Sequence, residues 1–498
     1  TDGGDSWSAV WKGDNLARYV WIDPRDTEVL YISTGIFDRE AANSDDATNT
    51  PGGEGVLKST DGGVSWEHRN EGLTNLYVGS LFMHPENPDV LMAGCSNNTY
   101  SDSSGVFLTT DGAETWTQVL ADGVQSVEFA VSEPLIAYAG NPARIHRSTD
   151  GGLSWTQVTP GNDTWGPPGV VAGFPIDFQV DPANPDRIFT NNYGGGNFMS
   201  IDGGHTWSVA SSGYTGAQVR DIAVAPYDPA RIYAAARSGM FVSFDWGQGW
   251  EGRTYEPAMG LEWNVVEIDP HNPLHMLASN NWMGVILESF DGAETWRDAG
   301  GNMPEGKGWR SFAFAPSTPH MIYGGTGAFL SAGQFDPQRP ALGVFRSPDG
   351  GQNWYEANDT TSQDAQVAQL AVAPGDPLTV YAAYTNKVVM KTTTGGDTWT
   401  LLNNGLPTSP SMLSITIDPV DPEHVFAGLE VACLYESSDG GLNWQPVPAG
   451  LQAESNVTAI VYHPFDESFI YVADRISGVY RSTDRGATWV SINDGLRT

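Results

Sequence analysis

Hydrophobic and polar residues alternate in short runs that recur along the whole chain. The runs YVWIDPRDTEVLYIS, IAVAPYDPARIYAAA and VVEIDPHNPLHMLAS each place an alternating stretch before a proline turn and an apolar stretch after it. A period of two is typical of strands with one buried face, and Gly, Pro and Asp between the runs are typical of turns. No segment has a clear helical period, so we predict short β-strands throughout.

A second motif alternates with these runs and ends in tryptophan. STDGGVSW at residues 59–66 is one copy, and TTDGAETW, STDGGLSW and SSDGGLNW are others. We call this motif the acidic turn. Its tryptophans are Trp7, Trp66, Trp116, Trp155, Trp207, Trp250, Trp296, Trp354, Trp399, Trp444 and Trp489. Strands before and after each proline turn, a third before the acidic turn and a fourth at the tryptophan make four-stranded units, which are typical of propeller blades.

The acidic turn predicts a structural role for its aspartate. A carboxylate can accept hydrogen bonds from turn amides, glycine permits positive φ, and the tryptophan can pack between neighbouring blades. A group needed in nearly every copy performs the same task each time. The predicted structural residues are Asp61, Asp111, Asp150, Asp202, Asp245, Asp291, Asp349, Asp439 and Asp484. In the one remaining complete copy Thr394 stands in this place, and its hydroxyl is expected to replace the carboxylate in part.

The acidic turn resembles the Asp-box, or bacterial neuraminidase repeat, of a β-propeller superfamily. The resemblance implies an all-β, multi-bladed propeller of four-stranded blades. A single ten-bladed ring is the preferred arrangement, and two smaller rings or a fragment of a two-ring enzyme are the alternatives. Because the chain opens inside a repeat, TDGGDSW, residues 1–16 are expected to be the remnant strand of a truncated preceding blade. Residues 17–498 are expected to form ten blades in one propeller.

Members of this superfamily differ in function. Comparing this sequence with three families of the superfamily limits which function the resemblance implies. Sialidases need an Arg-Ile-Pro segment, whereas this chain has Arg144-Ile145-His146. The repeat is similar to that of the two-propeller xyloglucanases, but YISTGIFD at residues 31–38 places Gly35 where their catalytic aspartate falls. The blade count is similar to that of the ten-bladed sortilin receptors, whose cysteine-rich domains are missing here. The resemblance therefore leaves both polysaccharide hydrolysis and protein binding open.

Charge excludes some partners. The formal net charge is −36, with 24 Lys and Arg against 60 Asp and Glu, so the surface should repel nucleic acid and anionic lipid. No apolar run is long enough to span a membrane. Little lysine with many aromatic and Asn residues suggests a secreted, extracellular or cell-surface protein. Cys95 and Cys433 are expected to be free, buried thiols.

Irregular loop length concentrates at one face of the predicted blades. The connections between second and third strands, such as residues 34–55, and between successive blades are long, whereas the other turns are short. Function is expected on that face, because loops carry binding residues. Aromatic and amide side chains there could stack on sugars and bind hydroxyls, or could pack between loops; they are Trp165, Tyr193, Trp263, Trp282, Trp309, Asn191 and Asn281.

Carboxylates on the same face could carry out catalysis. Glycoside hydrolysis needs two, and the candidates are Asp38, Asp336 and Glu262. Trp263 would give Glu262 an apolar neighbour that raises its pKa. The alternative is that these are solvated loop acids. No cofactor or metal site is predicted, although Asp38, Asp45 and Asp46 could bind calcium. Histidine spacing and the lack of GxSxG argue against a zinc or Ser-His enzyme.

Three functions remain after these arguments, and the third is an enzyme or assembly factor of another kind. The first is a secreted propeller that binds or hydrolyses polysaccharide, as the resemblance to xyloglucanases implies. If it is an enzyme, it is a glycoside hydrolase with two carboxylates. The second is a non-catalytic scaffold that binds a protein partner on the long-loop face, as the resemblance to sortilin implies.

Overall fold

The structure is a computed structural model of the 498-residue chain. It describes residues 8–494 except for these segments: 14, 36–42, 46–51, 97–102, 162–163, 194–195, 211–218, 255–261, 281–283, 304–307, 319, 328–341, 386–387, 408–410, 431–433, 448–449, 452–455 and 464. Within the described part, regular structure consists of forty β-strands, and no helix is found.

The first two strands of each unit come from the alternating stretch and from the apolar run after the proline turn. The first strands are β1 (Ala17–Ile22), β5 (Val78–Met83), β9 (Ser126–Phe129), β13 (Pro175–Asp181), β17 (Val219–Val224), β21 (Trp263–Ile268), β25 (Trp309–Phe314), β29 (Val367–Val372), β33 (Met412–Ile417) and β37 (Val457–Tyr462). The second strands are β2 (Leu30–Thr34), β6 (Leu91–Cys95), β10 (Ala137–Gly140), β14 (Asn184–Asn192), β18 (Ile232–Ala236), β22 (Met276–Asn280), β26 (Ile322–Thr326), β30 (Val380–Tyr384), β34 (Val425–Leu429) and β38 (Ile470–Asp474).

The last two strands flank the acidic turn. The third strands are β3 (Val56–Ser59), β7 (Gly105–Thr109), β11 (Ile145–Ser148), β15 (Asn197–Ser200), β19 (Gly239–Ser243), β23 (Ile286–Ser289), β27 (Val344–Ser347), β31 (Val388–Thr392), β35 (Leu434–Ser437) and β39 (Gly478–Ser482). The short fourth strands are β4 (Glu67–His68), β8 (Thr117–Leu120), β12 (Thr156–Gln157), β16 (Ser208–Val209), β20 (Glu251–Gly252), β24 (Arg297–Asp298), β28 (Tyr355–Glu356), β32 (Thr400–Leu401), β36 (Gln445–Pro446) and β40 (Val490–Ser491).

Each group of four consecutive strands forms one antiparallel sheet in chain order, which gives ten sheets, numbered 1 to 10. The register between first and second strands commonly shifts near the start, as between the pairs Trp309↔Thr326 and Ser311↔Gly325. Such a bulge changes the direction in which the side chain at its position points. The prediction of ten four-stranded units is confirmed, and they fit a multi-bladed β-propeller.

The chain divides into two compact units. Unit 1 comprises Thr1–Gln218 with Thr254–Ala258, and unit 2 comprises Val219–Arg253 with Met259–Thr498. Sheets 1 to 4 therefore lie in unit 1 and sheets 5 to 10 in unit 2. The number of rings, and the role of residues 1–16, stay predictions.

The hydrophobic core lies between successive sheets within each unit. In unit 1, Tyr31 of sheet 1 packs in one buried cluster with Leu81 and Phe107 of sheet 2. In unit 2, Leu277 of sheet 6 packs with Phe312 of sheet 7 in the same way. Each alternating strand thus buries its apolar side against a neighbouring sheet, which is how the repeat forms a continuous core.

The cysteine prediction is tested at one of its two positions. Cys95 is free and fully buried at the end of β6, and burial raises the pKa of its thiol well above the ordinary value. Cys433 lies outside the described residues.

Candidate functional site

The acidic turns satisfy their hydrogen bonds internally. In the first described copy, Asp61 Oδ1 accepts from the Ser65 amide at 2.8 Å and from the Ser59 hydroxyl at 2.8 Å. Asp61 Oδ2 accepts from the Ser65 hydroxyl at 2.6 Å, and the hydrogen bonds, led by this one, lower the pKa of Asp61 to about 2. The Ser59 hydroxyl oxygen also accepts from the Gly63 amide at 2.9 Å. The contact from the amide four residues later to Oδ1 recurs at Asp111, Asp150, Asp202, Asp245, Asp291, Asp349, Asp439 and Asp484.

Thr394 keeps the turn closed without a carboxylate. Its Oγ1 accepts from the Thr398 amide at 3.0 Å and lies 3.2 Å from the Thr398 hydroxyl. A single oxygen here performs the contacts that two carboxylate oxygens share elsewhere.

The tryptophans of the acidic turns connect successive sheets. The Nε1 of Trp116 donates to the carbonyl of Arg69 at 2.8 Å, and that of Trp399 donates to Ala357 at 2.8 Å. Both rings are buried. Because their carboxylates and indoles are already hydrogen-bonded within the fold, these turns have a structural role.

The predicted aromatic binding residues pack inward wherever they are described. Trp263 and Trp309 are fully buried, and Trp165 is 3% exposed. Trp165 packs edge-on against Trp207 at 5.0 Å between ring centroids. Half-buried Tyr193 stacks on Phe174 at 4.4 Å. These positions favour the packing alternative, because a buried ring has no face on which a sugar can stack.

The remaining predicted site residues are dispersed. Asn191 is exposed on β14, where it pairs in register with Asp177 of β13. Asp45 is exposed. Asp38, Asp46, Asp336, Trp282 and Asn281 lie outside the described residues.

Glu262 differs from the isolated acid that the sequence suggested. It is buried at φ 68°, immediately before β21, and its amide donates to the Arg237 carbonyl at 2.7 Å. Its carboxylate forms ion pairs with Arg237 at 2.5 Å and with Arg220. Two guanidinium groups neutralise it, so the position is that of a paired structural anion.

A set of polar side chains that sequence analysis did not single out connects the innermost strands. Each lies near the third position of a first strand and accepts a hydrogen bond from a backbone amide in the next sheet. The pairs are Ser80 with Val127, Glu128 with Val180, Asp221 with Val266, Ser311 with Leu370 and Gln369 with Ile415, at 2.9–3.1 Å. The available signal was a polar residue inside an otherwise apolar alternating strand.

In unit 1 this position brings two carboxyl groups into electrostatic contact. Glu128 is 5% exposed, its Oε1 accepts from the Val180 amide at 2.9 Å, and its Oε2 has no hydrogen-bond partner. Burial and the nearby charge of Asp177 raise the pKa of Glu128 to about 8. Asp177 is half-buried, and burial also raises the pKa of its carboxyl. Tyr19 of sheet 1 donates its hydroxyl to Asp177 Oδ1 at 2.9 Å.

Unit 2 contains a second carboxyl pair at its innermost strands. Burial raises the pKa of Asp221 to about 6, and burial with the charge of Asp221 raises that of Glu267 to about 8. Arg310 lies near Asp221, and burial lowers the pKa of its guanidinium to about 10. In unit 1 the charge of Arg18 likewise lowers the pKa of Asp177 and offsets part of its burial.

Across the described ranges, no three His, Cys, Asp or Glu side chains are grouped to hold a metal ion. Nor does any described helix have the length and hydropathy to cross a membrane.

Comparison with known proteins identifies similar folds. No protein-family model and no curated protein matches the chain. A GH74 enzyme of Niastella koreensis is 18% identical over 96% of this chain and 85% of its own, with a TM-score of 0.37. YCF48 bound to D1 peptide is 13% identical over 60% of this chain and 88% of its own, with a TM-score of 0.40. PorZ, a surface component of the type-IX secretion system of Porphyromonas gingivalis, is 11% identical over 96% and 68%, with a TM-score of 0.44. These similarities concern the multi-bladed fold alone.

Proposed function

We infer that this protein binds a glycan and hydrolyses it with two carboxyl groups, outside the cell or at its surface. The observation that carries the proposal is the buried carboxyl group of Glu128. Its Oε1 accepts from the Val180 amide at 2.9 Å, and burial with the charge of Asp177 raises its pKa to about 8. Glycosidases need one group that can give a proton and one that can accept a proton or attack carbon. Pairs whose environments shift their pKa values are candidates for this chemistry.

The location of the pair supports the same proposal. The innermost strands start at the face on which the long loops are predicted, and Glu128 and Asp177 are each the third residue of β9 and β13. Only a few residues of each strand therefore separate the carboxyl pair from the predicted long loops. The acidic surface suits a neutral polymer better than an anionic one.

The test is hydrolysis of a panel of neutral polysaccharides, including xyloglucan, β-glucans and mannans, measured as new reducing ends from pH 4 to 9. We expect release from at least one neutral polymer. Absence of release from every polymer, with the protein folded, would refute the hydrolytic proposal.

A protein-binding function is the second candidate. It is favoured by the burial of Trp165, Trp263 and Trp309, which removes three of the predicted sugar-stacking rings. Binding of an extracellular protein without any glycan release would support this candidate over the first.

A further inference from the structure

A groove lies between sheets 8 and 9 of unit 2, on the side formed by their proline turns and acidic turns. It consists of two adjoining cavities of about 290 and 230 Å³, which share Lys391, Thr393 and Glu423. Thr398, Thr400 and Leu442 extend the lining along the acidic turns. The groove is therefore open to solvent and belongs to unit 2 alone, whereas Glu128 and Asp177 lie in unit 1.

Lys391 has unused hydrogen-bonding capacity in this groove. Its Nζ lies 4.8 Å from the centroid of the Tyr381 ring and donates one hydrogen bond, to the Gly440 carbonyl at 3.3 Å. Within the described residues no carboxylate forms an ion pair with it. Because an ammonium group has three N–H donors, two of them remain for a ligand.

A lysine at the same place in sheet 1 is paired more completely. Lys58 donates to the Gly112 carbonyl of the next acidic turn at 2.9 Å, and its Nζ lies 3.7 Å from Glu114 Oε1. Glu114 stands three residues after the aspartate of its turn. In the turn that faces Lys391 this place is taken by Leu442, which is 63% exposed. The groove thus has an apolar side chain where sheet 2 has the acid that pairs with the lysine.

Glu423 supplies the groove with an acceptor. Its side chain is exposed, and its carboxylate has no hydrogen bond within the described residues. A Cβ atom on Gly440 would lie 2.5 Å from Glu423 Oε2 and 2.9 Å from Lys391 Nζ. The carboxylate and the ammonium group therefore flank the same glycine, and each is available to a ligand.

The acidic turn of sheet 8 adds hydroxyl groups to the groove. In six other copies the hydroxyl four residues after the aspartate donates to its carboxylate at 2.5–2.7 Å. Here the Thr398 hydroxyl lies 3.2 Å from the Thr394 hydroxyl, which is a weaker contact. Thr393 and Thr400 are exposed beside it. The complete copy that lacks the repeated aspartate is therefore the one that borders the groove.

We propose that this groove binds one or two pyranose rings of a neutral glycan. Lys391 donates to sugar hydroxyls, Glu423 accepts from them, and the C–H face of a ring packs on Leu442. An anion would meet Glu423, Asp376 and Asp439, and a cation would meet Lys391, so a neutral ligand fits the charges best. The volume is near the lower end of the ~300–1,000 Å³ that small-ligand sites occupy. This site binds without cleaving and does not depend on the hydrolytic function proposed above.

Acetylation of lysines by acetic anhydride locates the site, because the chain has only five lysines. The full chain is labelled with and without cellobiose, mannobiose or soluble xyloglucan, and the rate at each lysine is read by mass spectrometry. At ten times its Kd, at least one of these probes should slow acetylation of Lys391 about tenfold and leave Lys58 unchanged. Protection by xyloglucan as well as a disaccharide identifies a site for polysaccharide, and protection by a disaccharide alone identifies a site for free sugars.

Three variants separate binding from folding. Lys391→Met should weaken the affinity for the protecting probe about tenfold or more, the usual effect of losing a hydrogen bond to a charged group. Lys58→Met removes the corresponding contact in sheet 1 and should keep the affinity. Thr394→Asp restores the carboxylate that engages the Thr398 hydroxyl, so it should weaken binding while the thermal midpoint is kept or raised.

The outcomes distinguish this inference from the hydrolytic function. Acetylation of Lys391 that none of the probes slows, or an equal loss of affinity in Lys391→Met and Lys58→Met, would overturn the glycan site and leave the hydrolytic function standing. A wild type in which cellobiose protects Lys391 but no polysaccharide is cleaved keeps this site and loses the hydrolytic function.

Discussion

Replacing Glu128 by glutamine should make unit 1 more stable at alkaline pH. Both side chains have the same shape, and Gln369 already makes the equivalent contact in sheet 8. The two proteins differ in one property: glutamate can lose a proton, and in the folded state it must do so in a buried site beside Asp177.

The size of the effect follows from the two pKa values. The ordinary pKa of 4.5 applies to the unfolded chain, and the folded value is about 8. At about 1.36 kcal/mol per unit, this difference corresponds to about 5 kcal/mol. Because the folded pKa is the higher one, the stabilising contribution of the neutral acid is complete below pH 4.5 and is lost as pH rises to about 8. The variant should equal the wild type at pH 4.5 and exceed it by up to about 5 kcal/mol at pH 9.

Hydrogen exchange at β13 gives the measurement, since the Val180 amide donates to Glu128. The exchange rate of the peptide that contains Val180 is compared between wild type and Glu128→Gln at several pH values, after correction for intrinsic exchange. Protection should diverge in favour of the variant as pH rises above 4.5. The converse variant Gln369→Glu should lose protection at Ile415 over the same range. A difference that does not change with pH, or a wild type that is better protected at pH 9, would refute the reasoning.

Three further predictions concern the framework. Thr394→Asp should raise the free energy of unfolding by up to about 1 kcal/mol, which a higher thermal midpoint would show, because a carboxylate can bond the amide and the hydroxyl four residues later more strongly than one hydroxyl oxygen can. Trp309→Ala should cost about 3–5 kcal/mol in urea unfolding, since the ring is fully buried; a loss below 1 kcal/mol would contradict this burial. Burial alone would lower the pKa of His275, but hydrogen bonds from its ring to Glu288 and Asp269 raise it. The stabilising contribution of charged His275 is therefore fully present below pH 6.5 and is lost as pH rises through the pKa of His275 in the folded state. His275→Gln should remove this pH dependence of stability. NMR titration of the histidine and unfolding at several pH values measure it.

The architecture could be predicted from the sequence because the patterns of the repeat are local. Strand alternation, proline turns and the spacing from Asp to Trp each act within a few residues, and ten copies reinforce one another. Even Thr394 could be interpreted, because its contacts lie within the same turn.

The roles of the site residues were harder to predict from sequence, because the side chains around them come from distant parts of the chain. Trp263 predicts an apolar neighbour for Glu262, but the structure gives that carboxylate Arg220 and Arg237 from the preceding sheet. Loop length predicts exposed tryptophans, yet Trp309 turns into the core between sheets. The segment QSVEFAV gives no sign that Glu128 differs from other polar residues in a strand. Its burial depends on the sheet that follows.

The carboxyl groups that connect the innermost strands differ in the charges that lie near them. At Asp221 the acid lies near Arg310, whose positive charge lowers the carboxyl pKa and so offsets part of the burial. At Glu128 the neighbouring charge is that of Asp177, which adds to the effect of burial. Serine or glutamine makes the same connection in sheets 2, 7 and 8 without any ionisable group. The connection to the next sheet therefore needs no carboxyl group, and burial makes the charged form of Glu128 unfavourable at alkaline pH.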